Sequence, residues 1–424
     1  MEQLRLFKTN TYQQELLGNE YITLRPYHNM PEKGPIEFML KDNKEYINLD
    51  ETTLTVKCKI VNADGSKIES KVAGDDQVAL VNNAMHSLFR DVEIRINDKR
   101  IEGGDNTYPY KSYVASVFRF SKEAQEGQLF SVGFVRDDHA AMETVANTGY
   151  VKRKVWTNAG EIKEFKGKLN LSILNQQRLL IPGADIYFKF ERAKDAFAIF
   201  NNVAALKPKV VITCMELQLM ATKVNPEIMR HHAVALSNGV PAVYPMQRVE
   251  MDTVVCKKDS TGDSKDFLFH GKIPKYLIML MVTNAAMNGD YTKNPFNFKH
   301  FNVSHVHLTK DRQNAPFPPF EPNFAKGGVL QEYMSLFQSN RLLGKNTVLP
   351  ISYEEFKNGY TNFQWNLTDD GQGSNATGDP RGNLEINVKF AEALPEAVNL
   401  LLYGIFDSNV MVYLDDVVTV DYNA

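Results

Sequence analysis

Gly382-Asn-Leu-Glu-Ile-Asn-Val-Lys-Phe390 alternates without a break. Leu384, Ile386, Val388 and Phe390 fall on one face, and Glu385, Asn387 and Lys389 on the other. A period of two marks a half-buried strand. Much earlier, Asp185-Ile-Tyr-Phe-Lys-Phe-Glu191 has the same character. Each stretch closes a segment of alternating strands with one or two short helices, and Asn399-Leu-Leu-Leu-Tyr-Gly-Ile-Phe406 follows the later one. The chain therefore reads as one all-β plan written twice.

Working outward, Leu54, Val56, Cys58 and Ile60 oppose Thr55, Lys57 and Lys59, with Asp64-Gly65 as the next turn. Val92, Ile94 and Ile96 repeat the pattern up to Asn97-Asp98. Tyr113, Val114, Val117 and Phe118 have helical spacing behind Pro109. Residues 121–160 are polar and turn-rich, and read as a long loop. Regular strands resume near Leu169. After Pro208 a strand spans Val210 to Leu219, then Asn225-Pro226 opens a helix that Gly239 stops. Further strands are expected over Val243–Val255, Phe267–Ile273, Tyr276–Val282 and His300–Leu308, and short helices over Val329–Gln338 and Tyr353–Tyr360. Residues 368–381 read as an exposed loop.

Many short strands in two segments predict an all-β chain of two consecutive jelly-roll β-sandwiches, a double jelly roll, with a few short helices in the loops. The expected division is an N-terminal arm over 1–33, a first jelly roll over 34–200, a linker over 201–208 and a second jelly roll over 209–424.

The 424 residues suit two domains, and 43% hydrophobic with 23% charged residues describes a globular chain. With 48 basic against 51 acidic residues the net charge is −3, which argues against nucleic-acid binding through bulk charge. It also leaves little repulsion between copies. Cys58, Cys214 and Cys256 are odd in number and widely spaced, so neither a disulfide framework nor a zinc site is expected, and a reducing compartment fits. Met1-Glu-Gln-Leu-Arg-Leu-Phe-Lys8 lacks the apolar core of a signal peptide, so secretion is not expected and the N-x-S/T triplets at Asn302 and Asn366 carry no weight. The run Tyr276–Val282 is too short to span a bilayer.

Chemistry-bearing motifs are sparse. Gly271-Lys272 lacks the upstream glycine of a phosphate loop, and Gly371-x-Gly373-x-x-Ala376 sits in a polar loop rather than between a strand and a helix. His305 and His307 share one strand face and could hold a metal, with His300 nearby, but an interior or interfacial role explains them more simply. His231 and His232 are adjacent on a helix and point apart. Asp407, Asp415 and Asp416 resemble an acid/base group, yet aspartate is common where strands end in turns. Lys57, Lys59, Lys163, Lys166 and Lys168 could form a basic strip, though solvated strand faces account for them. No catalytic, cofactor-binding or metal-binding residue is assigned, and no enzyme is expected.

Longer phrases carry a resemblance. Gly34-Pro-Ile-Glu-Phe38, Tyr46-Ile-Asn-Leu49, Asn83-Ala-Met-His-Ser-Leu-Phe-Arg-Asp-Val92, Tyr108-Pro-Tyr110 and Leu174-Asn-Gln-Gln-Arg-Leu-Leu180 resemble the major capsid proteins of polinton (Maverick) elements and adintovirus-like viruses. So do Arg192-Ala-Lys-Asp-Ala-Phe197, Lys293-Asn-Pro-Phe-Asn-Phe-Lys-His-Phe-Asn302, Tyr333-Met-Ser-Leu-Phe337, Gly382 to Pro395 and Asp415 to Tyr422. The resemblance implies a double jelly-roll capsid protein that forms trimers of pseudo-hexagonal outline and tiles an icosahedral shell. It implies partners in other copies of itself and in a penton or minor capsid protein. It also implies a place in the virion after synthesis in the host cytoplasm or nucleus. Two other readings compete. One is a carbohydrate- or receptor-binding jelly roll, for which Trp365 is the only aromatic hint. The other is a cupin-like metalloenzyme, which would need a carboxylate converging on His305 and His307.

Overall fold

The computed structural model describes residues 15–421 apart from 29–30, 32–33, 69–77, 203–205, 346–348, 369–380 and 416, and it leaves out the side chains of 157–159. The first half contributes β1 (Leu16–Leu24), β2 (Ile36–Leu40), β3 (Tyr46–Val61), β4 (Phe89–Ile96), β5 (Lys99–Glu102), β6 (Lys163–Lys168), β7 (Ile186–Arg192) and β8 (Lys209–Val224). The second half contributes β9 (Ala242–Cys256), β10 (Gly262–Lys265), β11 (Tyr276–Thr283), β12 (Val303–Lys310), β13 (Gln313–Asn314), β14 (Asn362–Asn366), β15 (Leu384–Phe390) and β16 (Val398–Val412), to which β17 (Val418–Val420) adds. Helix α1 (Tyr108–Arg119) follows β5, α2 (Pro226–Ser237) joins β8 to β9, and α3 (Leu330–Ser339) and α4 (Tyr353–Lys357) follow β13.

The first half has sheets in the order β1-β8-β3-β6 and β2-β7-β4-β5. The second has β9-β16-β11-β14 and β10-β15-β12-β13. Adding eight to each strand number of the first half's two sheets reproduces the two main sheets of the second, while the first half also holds a two-stranded sheet, Val78–Leu80 with Ile199–Asn201, that has no counterpart among the described residues. Each half is a jelly roll, and the fold is a double jelly roll. The two alternating stretches that expose the repeat, β7 and β15, occupy the same place in their sandwiches.

The pairing moves the expected boundaries. Residues 1–33 do not form an arm throughout, because β1 lies against β8, with Tyr21 opposite Met220 and Leu24 opposite Leu217. The second half does not start at 209, because β8 also pairs with β3, with Met215 opposite Val56. Strand β8 closes the first sandwich, and α2 makes the crossing to β9. A period-two pattern identifies a strand but not its neighbour, and these partners are distant in sequence. Residues 1–14, most of the loop 368–381, the glycine pattern at 371–376 and Asp416 lie outside the described residues.

Two local expectations also change. The segment 121–160 is no open loop: it folds into short helical turns and buries Leu129, Val132, Phe134, Met142 and Tyr150. Its polarity is satisfied inside the protein, so composition alone misleads. Phe267–Ile273 is a turn rather than a strand. Phe267, Phe269 and His270 are left-handed, with φ of 52°, 51° and 56°. Gly404 of β16 makes this turn possible, since a Cβ there would lie 2.9 Å from the Phe269 ring.

Leu54, Val56, Cys58 and Ile60 of β3 are fully buried, as their alternation predicts. Strands β11 and β16 do not alternate, and the reason lies in their position. Leu277, Met279 and Met281, with Val398, Leu400 and Leu402, fill the second sandwich. Ile278, Leu280 and Val282, with Leu401 and Tyr403, join the core of the first half. A sheet covered on both faces needs apolar residues at every position.

Candidate functional site

The most densely connected region of this chain is the seam where its halves meet. Helix α1 starts on Pro109, whose missing N–H costs nothing in a first turn. Tyr108 through Val117 are all buried. Tyr113 stacks on Phe296 of the second half, and Tyr110 meets Phe296 edge-on at 5.8 Å. At the far end Arg119 Nη2 donates to the Tyr403 hydroxyl at 3.4 Å.

A buried ion pair sits beside this stack. Arg153 Nη2 donates to Asp137 Oδ1 at 2.8 Å, with side chains 2% and 0% exposed. Arg153 also donates to the carbonyls of Leu80 and Val135 at 3.1 and 2.9 Å. Asn82 and, from the second half, Asn294 donate to Asp137 Oδ2 at 3.4 Å each. The Tyr360 hydroxyl donates to the Asp137 carbonyl at 2.9 Å. A buried pair is tolerated only when its remaining polar capacity is met in this way.

Arg136 extends the contact. It donates to Glu355 Oε1 at 2.8 Å and to the Pro350 carbonyl at 2.6 Å, and its guanidinium lies 4.7 Å from the Tyr360 ring centre. Glu355 also completes the capping box of α4 with Ser352. Burial pushes the Glu355 carboxyl up, but hydrogen bonds from Arg136 and the Ser352 backbone, with the charges of Arg136 and Lys122, outweigh it and hold the group at about 2. Sequence reasoning missed Arg136, Asp137, Arg153 and Glu355, since nothing in their spacing distinguishes them from surface charges.

The residues singled out in the sequence do not converge. His305 and His307 share the outer face of β12, with ring centres 5.9 Å apart, and His307 Nε2 lies 2.8 Å from Asn314 Oδ1. His300 instead stacks on Phe324 at 4.2 Å, and its Nδ1 accepts the Asn302 N–H. His232 Nδ1 meets the Tyr46 hydroxyl at 2.7 Å, while His231 is exposed on α2. Asp407 lies within β16 rather than at its end and pairs with Lys275, and Asp415 is in the following turn. Among the described residues no group of three or more His, Cys, Asp or Glu is placed to hold a metal.

The lysine strip is interleaved with partners. Lys57 pairs with Glu164, Lys168 pairs with Asp50, and Lys166 donates to Gln218. Lys163 lies 5.6 Å from the Trp156 ring centre. The three cysteines are free, and burial pushes the Cys58 and Cys256 thiols up to about 12. Trp365 is 2% exposed and packs in the second core, so it presents no surface to a sugar.

Two jelly rolls in tandem, with the same order of eight strands in their main sheets and joined by a shared core, define the double jelly-roll class. No known protein-family profile matches the chain. Among solved structures, a chain of the Sputnik virophage particle superposes with a TM-score of 0.65, covering 99% of this chain and 92% of that one at 10% identity. The capsid of the virus PBCV-1 gives 0.58 over 98% and 99% at 12% identity. The mavirus major capsid protein gives 0.56 over 97% and 92% at 12% identity. In sequence, an uncharacterized protein of Caenorhabditis elegans is 24% identical over 384 residues, spanning 88% of this chain and 90% of that one.

Proposed function

We propose that this chain is a major capsid protein whose trimers form pseudo-hexagonal capsomers of an icosahedral shell. The observation that carries the reading is the duplication of the eight-strand sandwich topology. Three copies of a chain holding two equivalent sandwiches present six similar walls, which suits hexagonal tiling under cyclic symmetry. The similarity of fold to viral capsid proteins supports it, as does the core that residues of both sandwiches share. The phrases quoted above support the polinton and adintovirus-like group as its source. A relative in Caenorhabditis elegans fits an element carried in an animal genome. The role is that of a non-catalytic building block located in the virion, with a penton or minor capsid protein as its further partner.

The test is the solution mass by light scattering after size-exclusion chromatography. The expected species is a trimer of about 144 kDa, three times 48.1 kDa, followed by shells or hexagonal arrays in electron micrographs. A chain that stays at the monomer mass at every concentration overturns the reading.

A further inference from the structure

The seam opens at one end into a cavity of about 580 Å³, walled by both halves. Its size is that of a small-ligand site. From the first half come Lys99, Arg100 and Lys111, and from the second Arg248 and Lys272. Three carboxylates share the lining, Glu102, Asp105 and Glu250, which leaves five positive against three negative charges.

The carboxylates are already engaged within the protein. Asp105 Oδ2 takes Lys111 Nζ at 2.5 Å, and Glu250 pairs with Arg248. Glu102 accepts the Ser172 N–H at 2.6 Å and its hydroxyl at 3.1 Å. Lys99 and Arg100 make no ion pair among the described residues. They follow the tight Asn97-Asp98 turn, both left-handed at 47° and 62°, which fixes where β5 begins. Gly104 makes room for the Arg100 guanidinium, since a Cβ there would lie 2.7 Å from Nη1. Burial holds the Lys272 ammonium below the ordinary lysine range; the charges of Glu250 and Asp421 act against this, and those of Arg248 and Arg381 add to it. The strained turn at Phe269 and His270 forms another wall.

We propose that this cavity binds a compact phosphate-bearing anion, held by Lys99 and Arg100 of one half and by Arg248 and Lys272 of the other. An excess of fixed cations in a walled recess is the environment that recognises phosphate, with arginine forks and lysine ammonium groups as donors. The binder is a cavity that only the joined halves create, and the proposal stands apart from the capsid reading.

The test is calorimetric titration of the whole chain with inorganic tripolyphosphate at low salt. Saturable binding is expected, weakened at least tenfold in Lys99→Gln/Arg100→Gln and again in Lys272→Gln, and unchanged in the strip variant Lys59→Gln/Lys166→Gln. Flotation with phosphatidic-acid vesicles separates the sources. Co-flotation lost in the Lys99→Gln/Arg100→Gln variant assigns the phosphate to a lipid headgroup, and binding of soluble tripolyphosphate alone assigns it to a free one. No binding in either assay overturns the proposal, as does equal binding by wild type and the cavity variants. So does an equal loss in the strip variant, which would mark bulk charge.

Discussion

Tyr113 of α1 lies flat on Phe296, with ring centres 4.1 Å apart and planes 7° from parallel. The two residues belong to different halves, and both are fully buried. This stack makes the seam a continuous core rather than a contact between two finished domains.

Phe296→Ala removes the stack and leaves a cavity, at an expected cost of about 3–5 kcal/mol. Because the core is shared, both halves lose that stability together. Differential scanning calorimetry checks this: a single transition is expected in wild type and variant, and two separated transitions would sink the shared-core account.

Asp137→Asn leaves Arg153 charged and poorly paired in the interior, with an expected loss of about 3–5 kcal/mol. Arg153→Met alone should cost a similar amount. The double variant should cost clearly less than the two singles combined, because it leaves no lone buried charge. Urea denaturation of the four proteins measures the coupling, and strict additivity would show that the pair does not act as a unit.

Glu355 supplies an acid-sensitive contribution. Its folded-state value of about 2 lies below the roughly 4.3 of an unfolded glutamate. The stabilisation is therefore complete above about pH 4.3 and is lost as the pH falls towards about 2. Wild type should exceed Glu355→Gln in denaturation midpoint at neutral pH, and the two should converge through that window. His86, which burial holds at about 3, acts in both proteins and cancels in the comparison. A gap that stays constant with pH would show that Glu355 is not the group responsible.

Strand β1 gives a prediction about truncation. Removing residues 1–14 leaves β1 on β8, so the chain should stay soluble and folded. Removing residues 1–24 strips the edge from β8 and exposes its unpaired backbone groups, which promotes aggregation. Size-exclusion profiles of the two truncations should differ sharply.

Much of the fold was readable because alternation is a local property. Leu54–Ile60 and Leu384–Phe390 each declare a buried face within a few residues, and Asn225-Pro226 declares a helix start. The segment 121–160 was misread because its polar residues are satisfied by partners far away, such as Asp137 by Asn294. The turn at Phe267–Gly271 was misread because left-handed phenylalanine and histidine have no sequence signal, and the space for the turn is made by Gly404.

What the sequence determined by itself was the kind of chain: all-β and written twice. Tertiary structure decided which strands belong together, moving β1 and β8 into the first sandwich. It also explained why Tyr276–Val282 and Leu400–Tyr403 are apolar at every position, since their sheet is buried on both faces. The physical reason is one of range. Backbone geometry sets a period of two residue by residue, whereas strand neighbours, buried ion pairs and a cavity between halves depend on groups that meet only when the whole chain has folded.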